Sequence, residues 1–231
     1  MSSQISAPPA WMRAIEGIRS VIEPTRRVLE VARAAGVLVV YLTMQFNEDL
    51  ANLGADDAPN RLRHLAMGVG QHVDAPDGTN SRVRVRDTWN TEIVNELAPQ
   101  PSDVVVAKHR YSGFFETDLD DILRSRRITS LAFTDCTTSV CIESTLRDAF
   151  YRDYQCLLLT DCCAEAVGSD QARTNQDASL TVTEAPSVAP HGTIASSDFG
   201  NRPARSNGLR LARDDRCRRQ PWRNGHQPTV R

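Results

Sequence analysis

This chain has almost no lysine. Of its 27 basic residues Lys108 is the only lysine, and all the others are arginine. A composition of this kind fits a GC-rich genome, and against that background a retained lysine hints at a task arginine cannot do. Lysine gives up its proton when its surroundings shift its pKa, whereas arginine essentially does not. Nor does any apolar run approach the ~18 residues of a membrane span, which argues against a membrane protein. The opening MSSQISAPPAWMRAIEG has no apolar core like that of a signal peptide. A cytoplasmic location is expected, where thiols stay reduced. The cysteines at 136, 141, 156, 162, 163 and 217 form no CxxC pair and no Cys/His ligand spacing, so no metal site is expected. Cys136, Cys156, Cys162 and Cys163 lie in or beside apolar stretches and read as small buried hydrophobes. A net charge of −2 gives no reason to expect nucleic acid or a membrane surface as partner.

The 231 residues suffice for one large domain or two small ones. EPTRRVLEVARAAG (23–36) reads as a helix, with Pro24 in the first turn, a stripe of Val28, Leu29 and Ala32, and Gly36 as the stop. VLVVYLT (37–43) follows as a continuous apolar, β-branched run, the pattern of a strand buried on both faces. Residues 47–87 are polar, without a clean period, and read as a long loop carrying substrate contacts or a lid. His64 and His72 fall in it, with surface roles as the default. TEIVNEL (91–97) reads as a short helix and DVVVAK (103–108) as a second buried strand ending at Lys108. TDLDDILRSR (117–126) reads as a helix with Thr117 and Asp120 spaced like a capping box. ITSLAFT (128–134) is a third strand and QCLLLT (155–160) a fourth. Between them, CIESTLRDAFYRD (141–153) puts Ile142, Leu146, Ala149 and Phe150 on one helix face.

Strands alternating with helices predict an α/β fold with a mainly parallel sheet and right-handed crossovers. Sites in such sheets collect at the carboxyl ends of strands, where Lys108 and residues 135–141 both fall. After about residue 184 the pattern decays, although GTIASS (192–197) fits one last strand. Residues 200–231 hold nine arginines and almost no aliphatic side chains, so a disordered tail is expected there. Two readings of it stand, a basic arm and a non-native C-terminus.

A cysteine becomes nucleophilic when its thiolate is stabilised, and the first turn of a helix supplies free N–H groups and a favourable dipole. Cys141 sits where the strand ending near Thr134 gives way, through DCTTSV, to a helix. Backbone donors there would also suit the oxyanion of a tetrahedral intermediate. Spacing alone leaves nucleophile and buried core residue evenly balanced.

The residues themselves go further. AKHRYSGFFETDLDDILRSRRITSLAFTDCTTSVCIESTLRDAFYRDY (107–154) resembles the cysteine hydrolases of the isochorismatase-like superfamily. It looks most like the ureidoacrylate amidohydrolase branch, with biuret hydrolases and N-carbamoylsarcosine amidases as relatives. K-x-R-Y-S-G-F-F-x-T and C-x-E-S-T-x-R-D carry the likeness, which extends more weakly from about Gly17 to about Phe199. The resemblance implies a three-layer α/β/α sandwich over residues 1–199 and an Asp–Lys–Cys triad, with Cys141 as nucleophile and Lys108 as the lysine. It implies a cis peptide at Cys136–Thr137 and an oxyanion hole formed by the N–H groups of Thr137 and Cys141. Tyr111 and Phe114 fall where they would shape a substrate pocket, or simply pack, while His109 reads as a bystander. The implied reaction is cleavage of a C–N bond in a small ureido, carbamoyl or amide substrate through a thioester. No cofactor and no metal are implied, and a homo-oligomer is left open.

One part of the pattern is missing. The family carries its catalytic aspartate at the end of a first strand, central in the order 3-2-1-4-5-6. Residues 1–22 hold neither an aspartate nor an apolar β run. Loss of that strand would split VLVVYLT from ITSLAFT. A start placed too far downstream and a decayed gene are both compatible with this. The readings that follow are an amidohydrolase, a catalytically impaired remnant or interaction module of the same fold, and an isochorismatase.

Overall fold

The computed structural model describes residues 17–166, 172–184 and 193–199. In chain order the elements are α1 (Ile22–Ala34), β1 (Val40–Met44), α2 (Pro59–Ala66), β2 (His72–Asp74), β3 (Asn80–Arg82) and β4 (Val104–Lys108). They continue with α3 (Leu119–Ser125), β5 (Ser130–Cys136), α4 (Glu143–Tyr151), β6 (Gln155–Ala164), α5 (Ala172–Glu184), β7 (Thr193–Ile194) and the short α6 (Ser196–Phe199). The arginine-rich stretch 200–231 lies outside the described residues.

Helix α1 buries Thr25, Val28 and Ala32, spaced three and four apart as one helix face requires. Its stop is a Schellman arrangement. Gly36 sits at φ +67°, its N–H bonds the Arg33 carbonyl, and the Val37 N–H bonds the Ala32 carbonyl. The chain then enters β1, which pairs in parallel with β4 from Val40↔Val104 to Met44↔Lys108. A second parallel ladder runs in the order β5-β6-β7. Among the described residues no hydrogen-bonded ladder joins the two, so the sheet is divided between β1 and β5, where the missing strand was expected to leave it split. The division explains why β1 is only half-buried at all five positions rather than buried on both faces.

Packing restores what the backbone does not join. Successive residues of β6 face opposite sides. Leu157 and Leu159 meet Val28 of α1 and Phe199 of α6, while Cys156 and Leu158 meet Leu119, Leu123, Leu146 and Ala149 of α3 and α4. Val40 and Leu42 of β1 pack into that second cluster beside Leu131 and Phe133 of β5. Helices on both faces of parallel strands make the expected three-layer α/β/α sandwich. Cys156, Cys162 and Cys163 are buried as expected, and Cys136 is half-buried.

Three local expectations are corrected. Residues 47–87 are not a structureless loop: they hold a 3-10 turn, helix α2 and the antiparallel β2–β3 hairpin, over a small core of Phe46, Leu53 and Val69. TEIVNEL is not an α-helix. It holds 3-10 turns at Trp89–Thr91 and Asn95–Leu97, with Glu92 and Val94 extended at ψ 146° and 144° between them. The capping box at Thr117 does not form. Its hydroxyl accepts the Leu119 N–H at 3.3 Å, while the Asp120 carboxylate turns to the Tyr154 hydroxyl and the Arg124 guanidinium.

The end of α1 is tied to the start of β4 by an ion pair. The Arg33 guanidinium donates to Asp103 at 2.6 Å and to the Tyr41 hydroxyl at 3.0 Å, and Tyr41 in turn donates to the Leu97 carbonyl. Burial pushes the Asp103 carboxyl up, but the Arg33 bonds and the Gln100 N–H outweigh it and hold the group below its ordinary value. A carboxyl with a depressed folded pKa stabilises fully above the unfolded value near 4 and loses that contribution as pH falls through the folded value. The melting temperature is therefore expected to fall below about pH 4. In Asp103→Asn it should be lower at neutral pH and less steep in acid, as thermal scans across pH 2–7 would show.

Candidate functional site

The carboxyl ends of β4 and β5 deliver Lys108 and the segment before Cys141. Lys108 is the last residue of β4 and is 4% exposed. Its ammonium donates to the carbonyls of Arg110 and Tyr111 at 3.0 and 2.9 Å. Burying a charge requires such partners, and the loop bends to offer two of them.

The Cys136–Thr137 peptide is cis, and β5 ends there. Residues Thr138–Ile142 form one π-helical turn that leads into α4. Cys141 therefore lies in this turn, two residues before α4 rather than at its first position as the sequence pattern indicated, and its side chain is half-buried. Three contacts fix the turn. The Thr138 hydroxyl donates to the Ala164 carbonyl at 3.1 Å. The Ser139 N–H donates to the carboxylate of Glu165, which is 4% exposed, at 2.8 Å. The Thr145 hydroxyl donates to the Cys141 carbonyl at 2.6 Å. Helix α5 closes the same side, with the Ser179 hydroxyl on Glu143 at 3.0 Å.

Thr145 also connects the two strand ends. Its oxygen accepts the Gly113 N–H at 3.0 Å and lies 3.5 Å from the Tyr111 carbonyl that receives Lys108. Gly113 packs closely: a Cβ there would stand 2.5 Å from Leu42 Cδ1 and 3.2 Å from Thr145 Cγ2, so a side chain would displace the end of Leu42. Lys108, Tyr111 and the Cys141 turn thus belong to one hydrogen-bonded assembly. Phe114 does not join it. At 6% exposure it lies in the helix-side core against Tyr154, with the Arg152 guanidinium 4.9 Å over its ring, so it packs rather than lines a pocket. His109 is half-buried and pairs with Glu116 at 3.0 Å.

His64 departs from its expected surface role. It is fully buried, and its ring packs 5.0 Å from Phe46 and 5.7 Å from Tyr111. Burial, with the charges of Arg84, Arg110, Arg63 and Lys108, pushes its pKa down to about 4. Sequence reasoning missed it because α2 places a polar residue inward while Leu62 and Leu65 are 56% and 39% exposed. Thr145 was detectable as the residue four after Cys141 on the same helix face. Glu165 carried no signal in the sequence beyond a charge that follows the strand residues of β6.

With this geometry in place, the relatives give it a family. Residues 2–187 match the isochorismatase domain, and the chain belongs to that family. It is 39% identical over 147 residues to the ureidoacrylate amidohydrolase RutB of Agrobacterium fabrum, spanning 64% of this chain and 63% of that protein's length. A cysteine hydrolase from Pseudomonas syringae shares the fold at a TM-score of 0.66 and 31% identity, over 80% of both chains. An N-carbamoylsarcosine amidase from Thermoplasma acidophilum does so at 0.56 and 25%, over 82% of this chain and 86% of that one.

Two outcomes follow. Thr145→Val should cost about 1–3 kcal/mol by leaving buried partners unpaired, and Thr145→Ser should recover most of it. Urea unfolding of both variants checks this. His64 should titrate near 4 in ring NMR spectra. A histidine kept neutral by folding stabilises fully above its ordinary value of 6.5 and loses that contribution as pH falls towards 4. The urea midpoint should therefore drop across that interval in the wild type and stay flatter in His64→Phe.

Proposed function

We propose that the chain is a cysteine amidohydrolase acting on a small ureido, carbamoyl or amide compound such as ureidoacrylate. The observation that carries this reading is the fixed turn around Cys141, joined through Thr145 and the Gly113 N–H to the loop whose Arg110 and Tyr111 carbonyls hold the buried ammonium of Lys108. Likeness to ureidoacrylate amidohydrolases and to an N-carbamoylsarcosine amidase supports the bond type.

In this mechanism the Cys141 thiolate attacks the carbonyl carbon and the oxygen takes up the negative charge. The N–H groups of Thr137 and Cys141 serve as oxyanion donors. Their assignment is supported by the use of neighbouring donors elsewhere: Ser139 bonds Glu165, and Val140 and Ile142 bond the Thr137 carbonyl. Collapse of the intermediate breaks the C–N bond, and the proton that the Cys141 thiol gave up ends on the leaving nitrogen, which departs as ammonia or amine. Water then hydrolyses the thioester and restores the thiol. Tyr111 borders the substrate. Lys108, held beside the reacting centre, contributes positive charge that favours the thiolate.

A second reading is a catalytically incomplete member of the same fold. Among the described residues no strand lies between β1 and β5, where the family's aspartate strand belongs, and this observation favours it. The amidohydrolase predicts ammonia release from ureidoacrylate, biuret or a carbamoyl amino acid, abolished in Cys141→Ser. It also predicts rapid, selective alkylation of Cys141 at neutral pH. Folded protein that releases no ammonia and alkylates slowly would establish the second reading instead.

A further inference from the structure

Residues 47–87 pack on a small core of their own, with Phe46, Leu53 and Val69 at its centre, and make a cap over the strand ends. Arg110 ties this cap to the loop that follows β4. Its Nη1 donates to the Asn52 carbonyl at 2.9 Å and its Nη2 to the Leu53 carbonyl at 3.4 Å. Both acceptors belong to the 3-10 turn Ala51–Leu53, and the Leu53 side chain is fully buried in the cap core. Nη1 also donates to the His109 carbonyl at 2.8 Å, and the guanidinium carbon lies 5.3 Å from the centre of the Phe115 ring. The cap main chain comes close, since a Cβ on Gly54 would stand 3.5 Å from Nη2. Donors on a planar fork have fixed directions, so the half-buried guanidinium has one seat rather than many.

The main chain of the same residue serves the lysine. The Arg110 carbonyl accepts the Lys108 ammonium at 3.0 Å, beside the Tyr111 carbonyl at 2.9 Å. Tyr111 repeats the pattern, with its ring 5.7 Å from that of His64 on α2. Two consecutive residues thus meet the cap with their side chains and the lysine with their carbonyls. Moving the cap away would strip the guanidinium of Asn52 and Leu53 and loosen the backbone that carries both oxygens. We propose that Arg110 is a positioning residue that couples the cap to Lys108: the seated cap fixes the guanidinium, and the fixed guanidinium holds the Arg110 carbonyl on the ammonium. Opening of the cap and release of the lysine are then one event. That a substrate closing the cap would also set the lysine for reaction rests on the amidohydrolase reading; the coupling itself does not.

Lys108 is the only lysine in the chain, so its acetylation by sulfosuccinimidyl acetate, read by mass mapping at that position, reports its release directly. In the full-length wild type the reaction should be slow, because the residue is 4% exposed. Arg110→Gln should raise the rate about ten-fold, the order expected for losing a charge-assisted bond. Arg110→Lys should give an intermediate rate at residue 108, because it keeps the charge and loses the fork. Asn52→Ala removes the acceptor of the Asn47 N–H and loosens the cap turn with Arg110 intact, and it should raise the rate as well. Asp120→Asn, on α3 away from the cap, should react as the wild type does. Hydrogen exchange should quicken over residues 47–70 in Arg110→Gln and stay unchanged in β5 and β6. Circular dichroism confirms folding, and if Arg110→Gln does not fold, Asn52→Ala decides alone. Wild-type labelling in a folded cap or Arg110 variant would overturn the proposal. An equal rise in Asp120→Asn, or exchange quickened equally through β5 and β6, would do so too, since either marks general destabilisation. Coupled release in protein that hydrolyses no ureido compound would uphold the coupling and refute the amidohydrolase. Turnover with lysine labelling indifferent to Arg110 would do the reverse.

Discussion

One buried charge organises the site. The Lys108 ammonium ends an otherwise apolar strand inside the protein, and the next three residues turn back to present carbonyl oxygens to it. That turn fixes Tyr111, and with it the approach of Gly113 to Leu42 and to Thr145. Thr145 in turn holds the carbonyl of Cys141. The lysine, the loop and the nucleophile turn are therefore interdependent: each supplies a partner the next cannot do without.

How much of this the sequence revealed depended on whether a feature was set locally. The stop at Gly36 was legible because a left-handed residue after a helix is a local demand that glycine meets. The strands at 104–108, 130–136 and 155–164 were legible as unbroken apolar runs, but only β6 is buried on both faces as such a run implies, whereas β4 leaves Val105 50% exposed. The division between β1 and β5 was legible from the resemblance alone, since strand order is not written in any local pattern. Helix α2 and the hairpin after it were missed because the cap has a core of only a few side chains, Phe46, Leu53 and Val69, drawn from distant positions. No window of the sequence shows that periodicity.

The candidate site divides the same way. Lys108 and Cys141 were found as chemical types at strand ends. Thr145, Gly113 and Glu165 act through the spaces and donors they share with those two, which is information about contact rather than residue type. His64 is the extreme case: its helix turns leucines outward and a histidine inward, against the usual ordering of burial. A local rule broken in this way is expected where function, not stability, sets the residue.

The placement of α1 has a further consequence. Among the described residues no ladder joins the two parallel sheets, yet this helix lies on β6 through Val28 and grips the start of β4 through Arg33 and Asp103. Cooperativity between the halves of the sheet is thus carried by side chains, through one helix on one face and the Leu42 cluster on the other. In most α/β proteins a continuous ladder makes the strands open together. Here the two halves are aligned by packing, through α1 on one face and Leu42 on the other, so the position of the lysine relative to the cysteine is set by side chains as well as by the Thr145 bonds.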